Sequence, residues 1–234
     1  MSEEKYHKFG KDDIDHFMDN DIYLPTRTVY MGSAAYDEYG GESGVDHVMT
    51  ERVTKTLHIL DTYDAAALRG EKPINIIMNN PGGDVIHGMG IYDAVSNCKN
   101  HVTVKVVGHA MSMGSIILQS ADTRIMTKNS LIMIHYGGAG GGGEHQKTSY
   151  KWRNWEKTYD KWMEELFLEK IGDRKITLQK FLRLINKEEE IPSGNAKNKL
   201  VNINKERLEK MLNFDTIIDA ETALQLNLID KIEG

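Results

Sequence analysis

The chain has 234 residues, of which 40% are hydrophobic and 27% charged, so it is long enough for one substantial core of a globular protein. Its formal net charge of −6 argues against nucleic-acid binding, because contact with a phosphate backbone requires a basic surface. The single cysteine, Cys98, excludes an intrachain disulfide and a cysteine-based zinc site. Because no apolar run is long enough for a membrane span or a signal peptide, we expect a cytoplasmic protein without membrane association.

The first part of the chain predicts alternating strands and helices. Residues 1–26 are charged and poorly patterned, which predicts a flexible arm. Residues 27–234 then form one predicted domain. Its first elements are a strand at Thr28–Met31, a helix at Val45–Leu68, a strand at Ile74–Met78, a helix at Val85–Val95, a strand at Val102–Val107, a helix at Ser112–Ser120, and strands at Arg124–Thr127 and Leu131–His135. This alternation favours an α/β sheet with right-handed crossovers. The unbroken apolar run Ile74–Met78 predicts a strand that is buried on both faces.

The second part predicts mostly helices. They cover Lys147–Ile171, Thr177–Asn186, Asn204–Leu212 and Ala220–Leu226, with a turn or short strand at Asp215–Asp219 and a last strand at Leu228–Ile229. The first of these helices carries an aromatic stripe, Trp152, Trp155, Tyr159 and Trp162, which we interpret as packing or an interface. A loop with six glycines precedes it at Gly137–Gly143, and a charged segment at Lys187–Lys199 predicts an exposed linker.

A serine stands at a strand-to-helix turn in the segment Gly-His-Ala-Met-Ser-Met-Gly, residues 108–114. Such a turn lifts the side chain of Ser112 clear of the sheet and aims backbone amides toward it. Polar or glycine-rich turns also follow Met78 and Ile134. Because ligand sites gather at the carboxyl ends of parallel strands, we expect these three turns to meet.

A serine nucleophile requires a base, an acid that orients the base, and amides that stabilise an oxyanion. His135, at the end of an apolar run, is the candidate base because its pKa lies near neutral pH. Asp215, Asp219 and Asp230 are the candidate acids, and periodicity does not choose among them. The Pro81–Gly82–Gly83 turn and the amide of Met113 are the candidate oxyanion donors. Taken singly, Ser112 and Asp219 would be interpreted as helix caps, and His87, His109 and His145 as surface or supporting residues.

Four segments, in this order, resemble the proteolytic subunit of Clp protease (ClpP). They are Asn-Pro-Gly-Gly-Asp-Val at 80–85, Gly-Met-Gly-Ile-Tyr-Asp at 88–93, Gly-His-Ala-Met-Ser-Met-Gly at 108–114 and Asn-Ser-Leu-Ile-Met-Ile-His at 129–135. The resemblance resumes at Asp215–Ile232. It implies Ser112 as nucleophile, His135 as general base, Asp215 as the acid, and the amides of Gly83 and Met113 as the oxyanion hole.

The resemblance also implies a crotonase-like α/β spiral of βαβ units with a protruding handle helix, here about residues 136–171. Such subunits form seven-membered rings that stack in pairs around a closed chamber, and an AAA+ ATPase feeds unfolded polypeptides into it. The implied activity is serine endopeptidase, with no metal and no cofactor in the chemistry.

Several positions depart from the family pattern and indicate a divergent member, of a kind that phage genomes carry. Met111 and His109 flank the serine turn where smaller residues and glutamine are usual, and Tyr136 follows the histidine. Two segments, residues 32–45 and 187–200, are insertions.

Three alternatives remain at this point. The chain could be an inactive structural subunit of a ClpP-like ring, a crotonase-type enzyme that acts on acyl-CoA, or a peptidase with a Ser–Lys dyad. Filled triad positions argue against the first, the Ser112 and His135 pair against the second, and the absence of a membrane segment against the third.

Overall fold

The computed structural model describes residues 11–32, 44–66, 72–137 and 146–234. Its helices are α1 (Lys11–Asn20), α2 (His47–Ala66), α3 (Val85–Ser96), α4 (Met113–Leu118), α5 (Gln146–Ile171), α6 (Leu178–Leu184), α7 (Lys205–Leu212) and α8 (Ala220–Gln225). Its strands are β1 (Ile22–Tyr23), β2 (Thr28–Gly32), β3 (Ile74–Asn80), β4 (Val102–Met111), β5 (Thr123–Thr127), β6 (Leu131–Ile134), β7 (Lys175–Thr177), β8 (Leu200–Asn202), β9 (Thr216–Asp219) and β10 (Lys231–Glu233).

The main sheet runs in the order β1-β2-β3-β4-β5-β10, and every neighbouring pair from β2 to β10 is parallel. Helices connect and cover these strands, so the predicted α/β class and the fold implied by the resemblance are confirmed. The core contains the fully buried side chains of β3 and β4, such as Ile76, Met78 and Val104, together with Ile91 and Ile117 from α3 and α4. None of the described helices is long and apolar enough to cross a membrane.

Strand β4 changes partners half-way along its ten residues. Thr103–Val106 pairs with β5, whereas His109–Met111 pairs with β6. Gly108 lies between the two stretches with a φ of +102°, a value that favours glycine. Its amide donates to Ser130 Oγ at 3.0 Å, and that hydroxyl in turn donates to the Val106 carbonyl at 3.0 Å. This change of partners brings β6 beside the end of β4, where the serine turn begins.

Four features differ from the sequence-based expectations. Helix α1 forms inside the segment predicted as an arm. Strand β3 alternates between buried and half-buried residues, because its second face is only partly covered, so it is not buried on both faces. The last strand is β10; the buried pair Leu228–Ile229 packs in the core just before it. The antiparallel pair β7–β8 was not predicted, since three-residue strands carry almost no periodic signal.

The two predicted insertions have different outcomes. Within residues 187–200, the chain forms two short 3₁₀ helices, Glu188–Glu190 and Gly194–Asn198, and most of these residues are exposed as predicted. Residues 33–43 of the other insertion, residues 138–143 of the glycine run and His145 lie outside the described residues.

Candidate active site

Three strand ends of the sheet meet at one place, as the sequence predicted. The turn after β3 packs against the serine turn so closely that a Cβ added to Gly82 would lie 2.6 Å from Ser112 Cβ and 2.7 Å from the Met111 carbonyl oxygen. The φ of Gly82 is +99°, which independently favours glycine. His135 directly follows the third strand, β6, and lies at the same place.

The backbone of Ser112 is held in an unusual conformation, with φ at 50° and ψ at −121°. A residue with a side chain rarely adopts these angles, and such strain is retained where the surrounding structure enforces it. Here the Ser112 amide donates to the Met133 carbonyl at 2.9 Å, and the Ser112 carbonyl accepts from the Ser115 amide at 2.9 Å. The hydroxyl makes no capping hydrogen bond to α4. The helix-cap interpretation of Ser112 therefore does not describe its side chain.

The Ser112 hydroxyl is hydrogen-bonded to His135, and His135 to Asp215. Ser112 Oγ lies 2.8 Å from His135 Nε2, and His135 Nδ1 lies 2.9 Å from Asp215 Oδ1. An ionised carboxylate only accepts, so Nδ1 carries the proton and donates to Asp215. Nε2 then accepts from the serine hydroxyl. This is the hydrogen-bond arrangement in which a histidine removes a proton from a serine.

The other two candidate acids have different partners. Asp219 is the N-cap of α8, where its Oδ1 accepts from the Thr222 amide at 2.7 Å. Asp230 accepts from the guanidinium of Arg124, with Asp230 Oδ1 2.7 Å from Arg124 Nη2. The structure thus brings only one of the three carboxylates to His135.

The antiparallel pairing of β6 with β9 brings Asp215 to the histidine. Ile134 is opposite Thr216, so the residues that follow and precede them, His135 and Asp215, lie side by side at the end of the ladder. Thr216 holds this end in place because its hydroxyl donates to the Met211 carbonyl at 2.6 Å. Insertion 187–200 therefore does not displace Asp215 from the site.

The histidine and the aspartate of this hydrogen-bonded series differ in exposure to solvent. The side chain of His135 is 27% exposed, whereas that of Asp215 is 73% exposed. Water competes for an exposed carboxylate and screens its charge. Asp215 therefore orients the His135 ring more than it stabilises charge on that ring.

The candidate oxyanion donors are the amides of Gly83, which follows the Gly82 that packs against the serine, and of Met113, which follows the serine. Val45 pairs with this turn as an isolated bridge: its amide donates to the Gly82 carbonyl at 2.6 Å, and its carbonyl accepts from the Asp84 amide at 2.8 Å. The Gly83 amide between them has no acceptor among the described residues. The Met113 amide, at the first position of α4, has none there either, as expected for a helix N-terminus. The bridge to Val45 was missed, because a single paired residue leaves no pattern in the sequence.

Two other elements fix the side chain of Met113. It packs under α3, where a Cβ added to Gly88 would lie 2.2 Å from Met113 Cγ, and the Tyr159 hydroxyl of α5 lies 3.5 Å from Met113 Sδ. Tyr136, the departure next to the histidine, donates its hydroxyl to Glu164 Oε1 at 2.6 Å and its amide to the Leu212 carbonyl at 2.7 Å. Helices α3, α5 and α7 thus hold the chain on both sides of the site.

His87 and His109, which the sequence predicted to be surface or supporting residues, are not part of the hydrogen-bonded series Ser112–His135–Asp215 in the described part of the chain. The ring of His87 faces that of His47 at a centroid distance of 6.1 Å, and His109 lies in the β4–β6 ladder. No group of three or more His, Cys, Asp or Glu side chains in the described ranges could hold a metal ion.

A comparison with known protein families identifies the chain. The sequence model of the Clp protease family matches residues 41–197. The chain belongs to the Clp protease family. It is 36% identical over 124 residues to the ATP-dependent Clp protease proteolytic subunit 3, chloroplastic, of Arabidopsis thaliana, a match that covers 51% of this chain and 35% of the relative. It is 35% identical over 125 residues to the ATP-dependent Clp protease proteolytic subunit of Deinococcus radiodurans, covering 51% of this chain and 54% of the relative.

The chain therefore spans about a third and about half of the lengths of these two curated relatives. The Clp protease match includes Ser112 and His135 but ends before Asp215. The structure places Asp215, which the resemblance implied as the acid, beside the histidine.

The close contact at Gly82 makes a testable prediction for this Clp protease family member. Gly82→Ala is expected to lower kcat/KM for peptide hydrolysis by at least about 100-fold, because the new methyl group forces Ser112 or the oxyanion donors apart. Steady-state hydrolysis of a fluorogenic peptide measures this loss. Gly90→Ala is the matched control: its added Cβ would lie 3.4 Å from Thr50 Cγ2, and alanine favours the interior of α3. Equal activity of the two variants would contradict the prediction.

Proposed function

We propose that this chain is a serine endopeptidase that hydrolyses peptide bonds of unfolded polypeptides through Ser112, His135 and Asp215. The observation that carries this proposal is the pair of hydrogen bonds, 2.8 Å and 2.9 Å long, that links a strained serine to a histidine and then to a carboxylate. A serine held in this way has an activating base and a half-buried position at a strand end. The family to which the chain belongs supports the same reaction class.

The proposed reaction has two steps. In the first, His135 Nε2 takes the proton of Ser112 as Oγ attacks the scissile carbonyl, and the protonated histidine then gives that proton to the leaving amine. In the second, His135 takes a proton from water, which attacks the acyl group on Ser112 and releases the second product. Asp215 accepts from Nδ1 throughout and keeps the imidazole in the tautomer that both steps need.

The amides of Gly83 and Met113 are the proposed oxyanion donors. Met113 follows the serine, Gly83 follows Gly82, which packs against the serine, and neither amide has an acceptor in the described part of the chain. A developing oxyanion would therefore gain hydrogen bonds that the free enzyme lacks. Donors fixed before the reaction need no reorganisation as charge develops, and each is typically worth 10²–10³ in kcat. No metal or cofactor takes part in this scheme.

The proposed assembly is a pair of stacked heptameric rings around a chamber, fed by an AAA+ unfoldase in the cytoplasm. The names of the two curated relatives, which are proteolytic subunits of an ATP-dependent protease, support an assembly of subunits and an ATP-using partner. The sequence itself has no Gly-x-x-x-x-Gly-Lys-Ser/Thr phosphate loop, so a partner would use the ATP. Phe214 and Ile217, which flank Asp215, are more than half exposed and would be covered if a second copy docked there.

Labelling with a fluorophosphonate tests the proposed chemistry. The reagent is expected to modify Ser112, identified by mass spectrometry of the peptide that contains it, and Ser112→Ala is expected to abolish the labelling. Ser96→Ala, which removes an exposed serine hydroxyl from α3, is the control that should label normally. The assembly state of each sample is measured in parallel by its mass in solution.

Two outcomes would reject parts of this proposal. Absence of labelling in every assembly state would reject the peptidase and favour the structural ring subunit, or the acyl-CoA enzyme if calorimetry then detects binding of coenzyme A. A labelled monomer would reject the chamber while leaving the serine chemistry in place.

A further inference from the structure

A cavity of about 500 Å³ opens directly beside Gly83, one of the proposed oxyanion donors. One side is the start of α3, and the other is the first half of α5. Its lining residues in the described part of the chain combine three aromatic rings with three carboxylates: Gly83, Asp84, Val85, Ile86, Gly137, Trp152, Trp155, Glu156, Tyr159 and Asp160. Gly83 is shared by the cavity and the proposed oxyanion hole, so the cavity lies next to the proposed position of the scissile carbonyl.

The aromatic wall of the cavity is ordered by stacking. The rings of Trp155 and Tyr159 lie nearly parallel, with centroids 5.8 Å apart and planes at 17°, and Trp152 meets Trp155 edge to face at 5.9 Å. Tyr159 is buried and contacts Met113 Sδ, so the wall has a fixed position relative to the serine turn. Trp152 and Trp155 are 42% and 38% exposed, so packing within the chain does not bury them. Both tryptophans line the cavity and remain partly accessible.

The charge around the cavity is negative. Among the described lining residues, three carry carboxylates and none is lysine or arginine. The Asp84 carboxylate accepts a hydrogen bond as the N-cap of α3, but Glu156 and Asp160, one turn apart on α5, have no ion-pair partner among the described residues.

The carboxylate of Asp160 has a raised pKa. Burial raises the pKa of Asp160, and repulsion from Glu156 and Glu164 raises it further. Lys157 and Lys161 line a neighbouring groove with Asp160, yet its pKa is still raised. A cation entering the cavity would relieve this repulsion.

We propose, on the basis of the proposed peptidase function, that this cavity binds a lysine or arginine side chain of the substrate residue that carries the scissile carbonyl. Aromatic faces attract cations, and a guanidinium group stacks on them while it donates to carboxylates. The methylene part of either side chain would lie along Val85 and Ile86. A neutral apolar side chain would fill the same volume but leave Glu156 and Asp160 without a counter-charge.

A panel of fluorogenic peptides that differ only in this residue tests the proposal. The wild-type enzyme is expected to cleave the arginine and lysine peptides with kcat/KM at least about tenfold above the norleucine peptide, and the glutamate peptide most slowly. The double variant Glu156→Gln/Asp160→Asn is expected to bring the ratio of arginine to norleucine close to one. Trp155→Leu is expected to lower the ratio as well, because it removes a π-face but keeps an apolar side chain.

The control is Glu165→Gln, which removes one carboxylate charge from the same helix, where the double variant removes two. Glu165 is exposed and pairs with Lys161 outside the cavity lining, so the ratio of arginine to norleucine should stay at the wild-type value. Comparable ratios in the control and the double variant would overturn the proposal, as would a wild-type preference for norleucine over arginine. The proposed function fails in a different way: the wild-type protein would cleave none of the peptides and would not react with the fluorophosphonate, and the cavity proposal would fall with it.

Discussion

His135→Ala is expected to lower kcat of peptide hydrolysis by about five to six orders of magnitude, close to the loss expected for Ser112→Ala. Nε2 of this histidine is 2.8 Å from Ser112 Oγ, and no other described base contacts that hydroxyl. Residues that act as one unit lose nearly all of their joint effect when one of them is removed. The remaining rate would come from substrate binding and the oxyanion donors. Initial rates with one fluorogenic peptide at saturating concentration measure the loss.

Two further variants test whether the loss of activity is specific to His135. Asp215→Asn is expected to lose less, about 10³- to 10⁴-fold, because the carboxylate is 73% exposed and acts mainly by orienting the ring. His58→Ala, which removes an exposed histidine from α2, should retain wild-type activity. If His135→Ala kept most of the activity, a lysine would be the base, as in the Ser–Lys dyad considered above.

Asp230→Ala is expected to lower the free energy of unfolding by about 3 kcal/mol, the largest effect on stability that we expect outside the hydrophobic core. The side chain of Arg124 is only 8% exposed, and Asp230 holds it through Oδ1 at 2.7 Å from Nη2 and Oδ2 at 3.1 Å from Nε. Gln119 and the Asn227 carbonyl accept from Nη1, so they satisfy hydrogen bonds without balancing the charge. Removing Asp230 therefore leaves a buried cation unpaired.

Urea denaturation of the wild type, Asp230→Ala and the control Asp173→Ala measures this difference. Asp173 is an exposed carboxylate after α5, and its loss should change the free energy of unfolding by less than about 0.5 kcal/mol. A change for Asp230→Ala as small as that of the control would contradict the prediction.

The same pair has a defined pH dependence. Burial disfavours the charged form of Asp230, but hydrogen bonds from the side chain and amide of Arg124, together with its charge, outweigh burial and lower the pKa below its usual value. A carboxyl whose pKa is lowered by folding stabilises the protein above its unfolded pKa of about 3.9, and this stabilisation is lost as pH falls through the folded value. The stability difference between the wild type and Asp230→Ala should therefore shrink below about pH 4.

The sequence alone predicted the features that depend on residues close to one another along the chain. The runs Ile74–Met78 and Val102–Val107 predicted strands, and Asp219 predicted a helix cap, because each depends on side chains within a few residues of one another. The glycine at 82 predicted a turn and has a positive φ in the structure, whereas Gly108, also at a positive φ, lies inside β4, which continues to Met111. The order of the strand-end turns along the chain also predicted that Ser112 and His135 would be close.

The tertiary structure decided everything that required pairing between distant segments. Periodicity did not choose among Asp215, Asp219 and Asp230, and only the family resemblance implied Asp215. The register of β6 against β9 placed Asp215 beside His135, 80 positions away, and the pairing of β10 with β5 placed Asp230 beside Arg124. The bridge from Val45 to the Gly83 turn and the cavity between α3 and α5 arise in the same way. Periodicity reports which face of an element is apolar, but it holds no information about which distant face will cover it. That choice depends on the packing of the whole chain.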